Sequence, residues 1–74
     1  MIKKIAKLSK RELEILQLIG EGHTTPQMAK ELFISTETVR THRKRILRKT
    51  RSKNMIAVVI MAVQSNLIHI DLAA

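Results

Sequence analysis

The stretch Thr24-Thr25-Pro26-Gln27-Met28-Ala29-Lys30-Glu31-Leu32-Phe33-Ile34-Ser35-Thr36-Glu37-Thr38-Val39-Arg40-Thr41-His42 decides how this chain of 74 residues folds. Thr24 and Gln27 have capping-box spacing, in which a hydroxyl accepts the N–H three residues on and the Gln side chain returns the bond. Pro26 falls in a first turn whose N–H groups have no helical partner to lose. A short helix is expected over about Thr25 to Leu32, with Met28, Ala29 and Leu32 facing inward and the small Ala29 admitting a close neighbour. Phe33-Ile34-Ser35 then makes a brief connection, and Ser35 can accept the N–H of Glu37 or Thr38 to start another helix. That helix should run from Thr36 to about Thr50, with Arg48 and Lys49 in its last turn, where cations meet the negative end of the dipole. Two capped helices joined by about three residues form a helix-turn-helix unit.

The flanks add one helix on each side. In Leu8-Ser9-Lys10-Arg11-Glu12-Leu13, Ser9 and Glu12 form a second capping-box pair and Leu8 and Leu13 a hydrophobic staple, so a helix should begin at Lys10. Leu13, Ile15, Leu16, Leu18 and Ile19 give it a broad apolar face, Gly20 weakens its last turn by about 1 kcal/mol, and Gly22 suits a left-handed terminator. Beyond the basic link Arg51-Ser52-Lys53, Met55 to Val63 are apolar at nine consecutive positions. Its β-branched residues would also suit a buried strand, but no second strand exists to satisfy its backbone, which favours a helix ended by Asn66. The expectation is an all-α, compact four-helix domain over residues 1–74, with an N-terminal arm at 1–8, four helices within 9–68 and a C-terminal tail at 69–74.

Charge is concentrated on one element. The net charge is +8, and between Thr36 and Lys53 eight basic residues stand against Glu37 alone, which accounts for +7 of it. An excess of this kind implies an anionic partner. On a helical wheel Val39, His42, Arg43, Ile46 and Thr50 share one side, which faces the core. Glu37, Arg40, Thr41, Lys44, Arg45 and Arg48 share the other, a ridge able to enter the major groove of a DNA duplex. Residues early in such a helix reach base edges, which makes Arg40, Thr41 and Lys44 the candidate readers. Arg45, Arg48, Lys49, Arg51 and Lys53, with the hydroxyls of Thr24, Thr25, Thr36 and Thr38 near two helix N termini, suit phosphate contacts that set register without reading sequence. A solvated basic face with no partner is the alternative for this ridge.

Other function classes find little support. A chain this short buries only about 60% of its unfolded surface, which leaves no room for a deep catalytic cleft. It has no cysteine for a disulfide or thiolate metal site, and a single aromatic, Phe33, where readers of single-stranded nucleic acid use several. No His-x-x-x-His, nucleophile motif or phosphate-binding glycine loop is present, so no catalytic residue, metal ligand or cofactor is assigned. Glu12, Glu14, Glu21 and Glu31 read as caps and solvated faces, and His42 as a structural histidine hydrogen-bonded to backbone. The apolar run falls short of the ~20 residues of a membrane span, and no secretory signal precedes the first helix, so a cytoplasmic location without membrane contact is expected.

Leu8-Ser9-Lys10-Arg11-Glu12-Leu13-Glu14-Ile15-Leu16, Ala29-Lys30-Glu31-Leu32-Phe33-Ile34-Ser35, Thr38-Val39-Arg40-Thr41-His42 and Ile46-Leu47-Arg48-Lys49 together resemble the LuxR-type (GerE or FixJ-like) helix-turn-helix family, without gaps from about Leu8 to Ile68. With Arg43 after His42, the chain looks like the output domain of a two-component response regulator. The resemblance implies a transcriptional regulator whose third helix reads double-stranded DNA through Arg40, Thr41 and Lys44, and whose fourth helix pairs with its twin on a two-fold site. Two departures stand out: Thr50-Arg51 replaces the family's usual Leu-Gly or Leu-Asn, and the fourth helix is unusually apolar. Nine apolar residues exceed what one buried face needs, so Met55, Ile56, Val59, Ile60 and Val63 are assigned to a homodimer face in preference to burial against the first helix. RNA polymerase is a further candidate partner. A sigma-factor-like region would share the helix-turn-helix but bind as a monomer, and a protein-only adaptor would not need the ridge.

Overall fold

The computed structural model describes residues 7–71. The expected arm positions 1–6 and tail positions 72–74 lie outside the described residues. Four helices follow in order, α1 (Lys10–Gly20), α2 (Thr25–Leu32), α3 (Thr36–Thr50) and α4 (Met55–Gln64), and no strand occurs among the described residues.

Local hydrogen bonds start every helix. The Ser9 hydroxyl accepts the Glu12 N–H at 3.1 Å while Glu12 Oε1 accepts the Ser9 N–H at 2.8 Å. Thr24 and Gln27 repeat the exchange at 3.3 and 2.8 Å. Ser35 Oγ accepts the Thr38 N–H at 3.0 Å, and Asn54 Oδ1, a cap not anticipated from sequence, accepts the Ala57 N–H at 3.0 Å. The helices also end alike, each with a left-handed residue: Gly22, Phe33, Arg51 and Asn66. The N–H that follows each one reaches back five residues to a carbonyl, His23 to Leu18, Ile34 to Ala29, Ser52 to Leu47 and Leu67 to Ala62. Those bonds satisfy carbonyls that a helix end otherwise leaves open. Gly22 and Asn66 take the conformation expected of them, whereas Phe33 and Arg51 take it despite the steric penalty on a side chain with φ near +55°.

The core is built from one stripe per helix. Ile15 and Leu16 of α1, Met28 and Ala29 of α2, Val39 and Ile46 of α3, and Val58 and Ala62 of α4 are buried, with Leu8 and Ile68 closing the two ends. α3 packs against all three other helices, and α1 also packs on α4, so α3 is held by its inner face along its length. Met55 belongs to this core at 9% exposure. Its assignment to an outward dimer face is thereby corrected: Met55, Val58 and Ala62 recur at the three- and four-residue spacing that lines one side of a helix.

Packing continues past Ile68, the expected end of the ordered helices. The His69 N–H donates to Gln17 Oε1 at 2.9 Å, Gln17 Nε2 donates back to the His69 carbonyl, and Ile70 packs on the core. Ile70 lies over Gly20, where a Cβ would stand 2.8 Å from Ile70 Cδ1 and the end of that side chain would have to shift.

Candidate nucleic-acid interface

α3 carries Arg40, Lys44, Arg45 and Arg48 outward because its apolar residues take the opposite side. Val39 and Ile46 are fully buried and Thr50 is tied down by its own hydroxyl, which donates to the Ile46 carbonyl at 2.8 Å. With those three seated, Glu37, Arg40, Thr41, Lys44, Arg45 and Arg48 are all exposed. The ridge is partly organised already. Glu37 Oε1 lies 2.7 Å from Arg40 Nη1, and the Thr41 hydroxyl donates to the Glu37 carbonyl at 3.0 Å. Lys44, one turn beyond Arg40, shares its exposed side.

The hydroxyls singled out near helix N termini differ in what they can still do. Thr24 Oγ1 already accepts the Gln27 N–H as a cap, yet its proton remains available to donate to an anion. Thr38 Oγ1 shares a proton with Ser35 Oγ at 2.9 Å. Thr25 and Thr36 are half-buried. Among the later cations, Arg51 and Lys53 are exposed beyond the end of α3.

Two side chains depart from their expected surroundings. Lys49 turns toward α1, where its Nζ lies 2.8 Å from Glu12 Oε1; the lysine side chain is 33% exposed and the glutamate 3%. Lys49 is accordingly removed from the phosphate-contact set, and Glu12 is a buried cap and not a solvated one. Burial pushes the Glu12 carboxyl up, but the bond from Lys49, the Ser9 N–H and the attraction of the ammonium together hold it below the ordinary glutamate value. His42 is half-buried as its side of the wheel requires, but its buried Nδ1 has no hydrogen-bond partner, where a backbone bond was expected. No local pattern announces the Glu12–Lys49 pair, because its members are 37 residues apart.

The outward side of α4 is apolar, with Ile56 72% exposed and Ile60 and Val63 also at the surface. Two shallow concavities run along it and share Val59 and Ile60 in their walls. One of about 310 Å³ runs against Ile19, Gly20 and Arg43, and one of about 260 Å³ runs between Val59, Ile60, Val63 and Ile70. Among the described residues no cluster of His, Cys, Asp or Glu has the arrangement of a metal site, and no helix is long and apolar enough to cross a membrane.

A capped helix pair on a small four-helix core, with the second helix of the pair presenting a cationic side, defines a helix-turn-helix domain. The chain belongs to the luxR family of bacterial regulatory proteins, whose pattern matches residues 6–62. It is similar to the transcriptional regulatory protein LiaR of Bacillus subtilis, 42% identical over 62 residues that make up 84% of this chain and 29% of that protein. The oxygen regulatory protein NreC of Staphylococcus carnosus is 41% identical over 61 residues, 82% of this chain and 28% of its own. The virulence-factor regulator BvgA of Bordetella pertussis is 35% identical over 63 residues, 85% and 30% respectively. The chain therefore spans less than a third of the length of the curated relatives it matches.

Proposed function

We propose that this chain is a sequence-specific double-stranded DNA-binding domain of a transcriptional regulator, acting without catalysis, with α3 in the major groove. The carrying observation is the division of α3, on which Val39 and Ile46 are fully buried while Arg40, Thr41, Lys44, Arg45 and Arg48 are all exposed. A major groove accepts one helix, and Arg or Lys can donate to guanine O6 and N7 while Thr meets a base edge or a thymine methyl. Arg40, Thr41 and Lys44 read bases. Arg45, Arg48, Arg51 and Lys53, with Thr24, Thr25, Thr36 and Thr38, hold phosphates and fix the register. Family membership and the regulatory names of the relatives support the same reading.

The apolar outer side of α4 carries the second part of the proposal, a homodimer on a two-fold DNA site. Ile56, Ile60 and Val63 leave an exposed apolar side on a domain too small to cover it, and a second copy can cover it with the same surface. Such pairing sets half-sites about one helical turn apart. The protein acts in the cytoplasm, where bacterial DNA lies.

Binding of duplexes bearing one candidate site and random duplexes, measured across a salt series, tests the division of labour. Arg40→Ala and Lys44→Ala should each cost about 1 to 3 kcal/mol on the specific site and relax the base preference at one position. Arg48→Ala should weaken both duplexes alike and lower the slope of log affinity against log salt by about 0.9. Equal losses on specific and random DNA for all three variants would remove the distinction between readers and anchors.

A further inference from the structure

Between Leu32 and Ile70 the chain has one acidic residue, and it stands on the cationic ridge. Glu37 lies in the first turn of α3 with its side chain 80% exposed. Its side chain touches one of the three proposed readers, with Oε1 2.7 Å from Arg40 Nη1, while the Thr41 hydroxyl bonds only its backbone carbonyl. The stability it brings is small, since an exposed ion pair contributes little and a carboxylate in a helix's first turn gains only a modest attraction to the dipole. Inside a groove walled by phosphates, a carboxylate also weakens binding to every sequence. Its presence there makes chemical sense if what it returns depends on the base it meets.

The geometry supplies two such returns. By engaging one N–H of the Arg40 guanidinium, Oε1 restricts the rotamers of a long side chain while leaving its other donors for guanine O6 and N7. Oε2 remains an acceptor, and in the major groove the base-edge partner suited to a carboxylate is the cytosine N4 amine. Guanine O6 and N7 and thymine O4 are themselves acceptors and repel it.

Resting on the α3 reading above, we infer that Glu37 is a specificity-determining residue, which positions Arg40 for guanine and itself selects cytosine at a neighbouring base pair while lowering affinity for other sequences. The test is selection of bound sequences from a random duplex pool by the full chain, its Glu37→Ala variant and its Glu37→Gln variant, with affinity for random duplex measured in parallel. The unaltered chain should prefer cytosine about tenfold at one position per half-site, beside a guanine. Glu37→Ala should lose that preference, weaken the guanine preference beside it, and bind random duplex roughly threefold more tightly. Glu37→Gln, which keeps the shape without the charge, should show the same gain on random duplex and shift the position from cytosine toward adenine, the base a carboxamide reads. Unaltered base preferences in both variants, with or without tighter random binding, would overturn the inference and leave the α3 reading standing. Absence of any sequence preference in the unaltered chain would fail the α3 reading first and take the inference with it.

Discussion

Glu12 does three things at once, and only two of them concern α1. It accepts the Ser9 N–H, supplies a negative charge to the first turn of its helix, and binds Lys49 at the far end of α3. Because its carboxyl is held below the ordinary glutamate value, its contribution to stability is full above that value and is lost as the pH falls through the depressed one. Glu12→Gln should cost about 1 to 3 kcal/mol near pH 7, as loss of a charged hydrogen bond at a buried position does. In thermal melts the gap between the two proteins should narrow as the pH drops below about 4.3; a constant gap would mean that the ionised form is not what matters. Lys49→Met should lower the melting temperature and leave the salt slope of DNA binding unchanged, whereas a smaller slope with unaltered stability would return Lys49 to the phosphate contacts. The capping role of Glu12 was legible from its spacing to Ser9. Its burial was not, since Lys49 is brought to it only by the packing of α3 on α1.

Helix ends show the same limit one level up. All four N-terminal caps are bonds spanning three residues, and three of them follow directly from Ser9, Thr24 and Ser35 standing before apolar periodicity. Termination is harder to read when the left-handed residue is not Gly or Asn. Phe33 and Arg51 adopt φ of 57° and 53° because the backbone must turn there to bring the next apolar positions onto the core, Ile34 among them. The family's usual Gly or Asn at the position of Arg51 fits this conformation, and with Arg51 there α3 still ends at Thr50. Phe33 is 94% exposed, so Phe33→Gly removes strain and gives up almost no packing. The variant should gain about 0.5 to 1 kcal/mol in denaturant unfolding; a loss would show that the aromatic ring makes contacts worth more than the strain. Within α3 the wheel separates the exposed ridge from the buried side without error, because Val39 and Ile46 lie among so many charged residues that the inward direction has one solution.

At the scale of the molecule, a small core wrapped by four helices cannot cover the whole of α4. The uncovered part is the side bearing Ile56, Ile60 and Val63. Ile56→Glu introduces a charge where the monomer is already open to water, so its stability should change by less than about 0.5 kcal/mol. Cooperative binding to a duplex with two half-sites should disappear, with single half-site affinity preserved, in titrations that compare the two duplexes. Retained cooperativity would remove this side of α4 from the proposed homodimer contact. The position of this side around the helix axis is not legible in the sequence: nine apolar residues in a row have no periodicity, and packing turns Met55 inward.

Sequence alone determined where the first three helices begin, that α2 and α3 are joined by a tight turn, and which side of α3 carries charge, because caps and three- to four-residue spacings act between near neighbours. Tertiary structure alone decided the rotation of α4, the pairing of Lys49 with Glu12, and the docking of His69 and Ile70 over Gly20. Those features depend on which distant surface each side chain meets. That is set when the four stripes close on one another, and no local pattern encodes it.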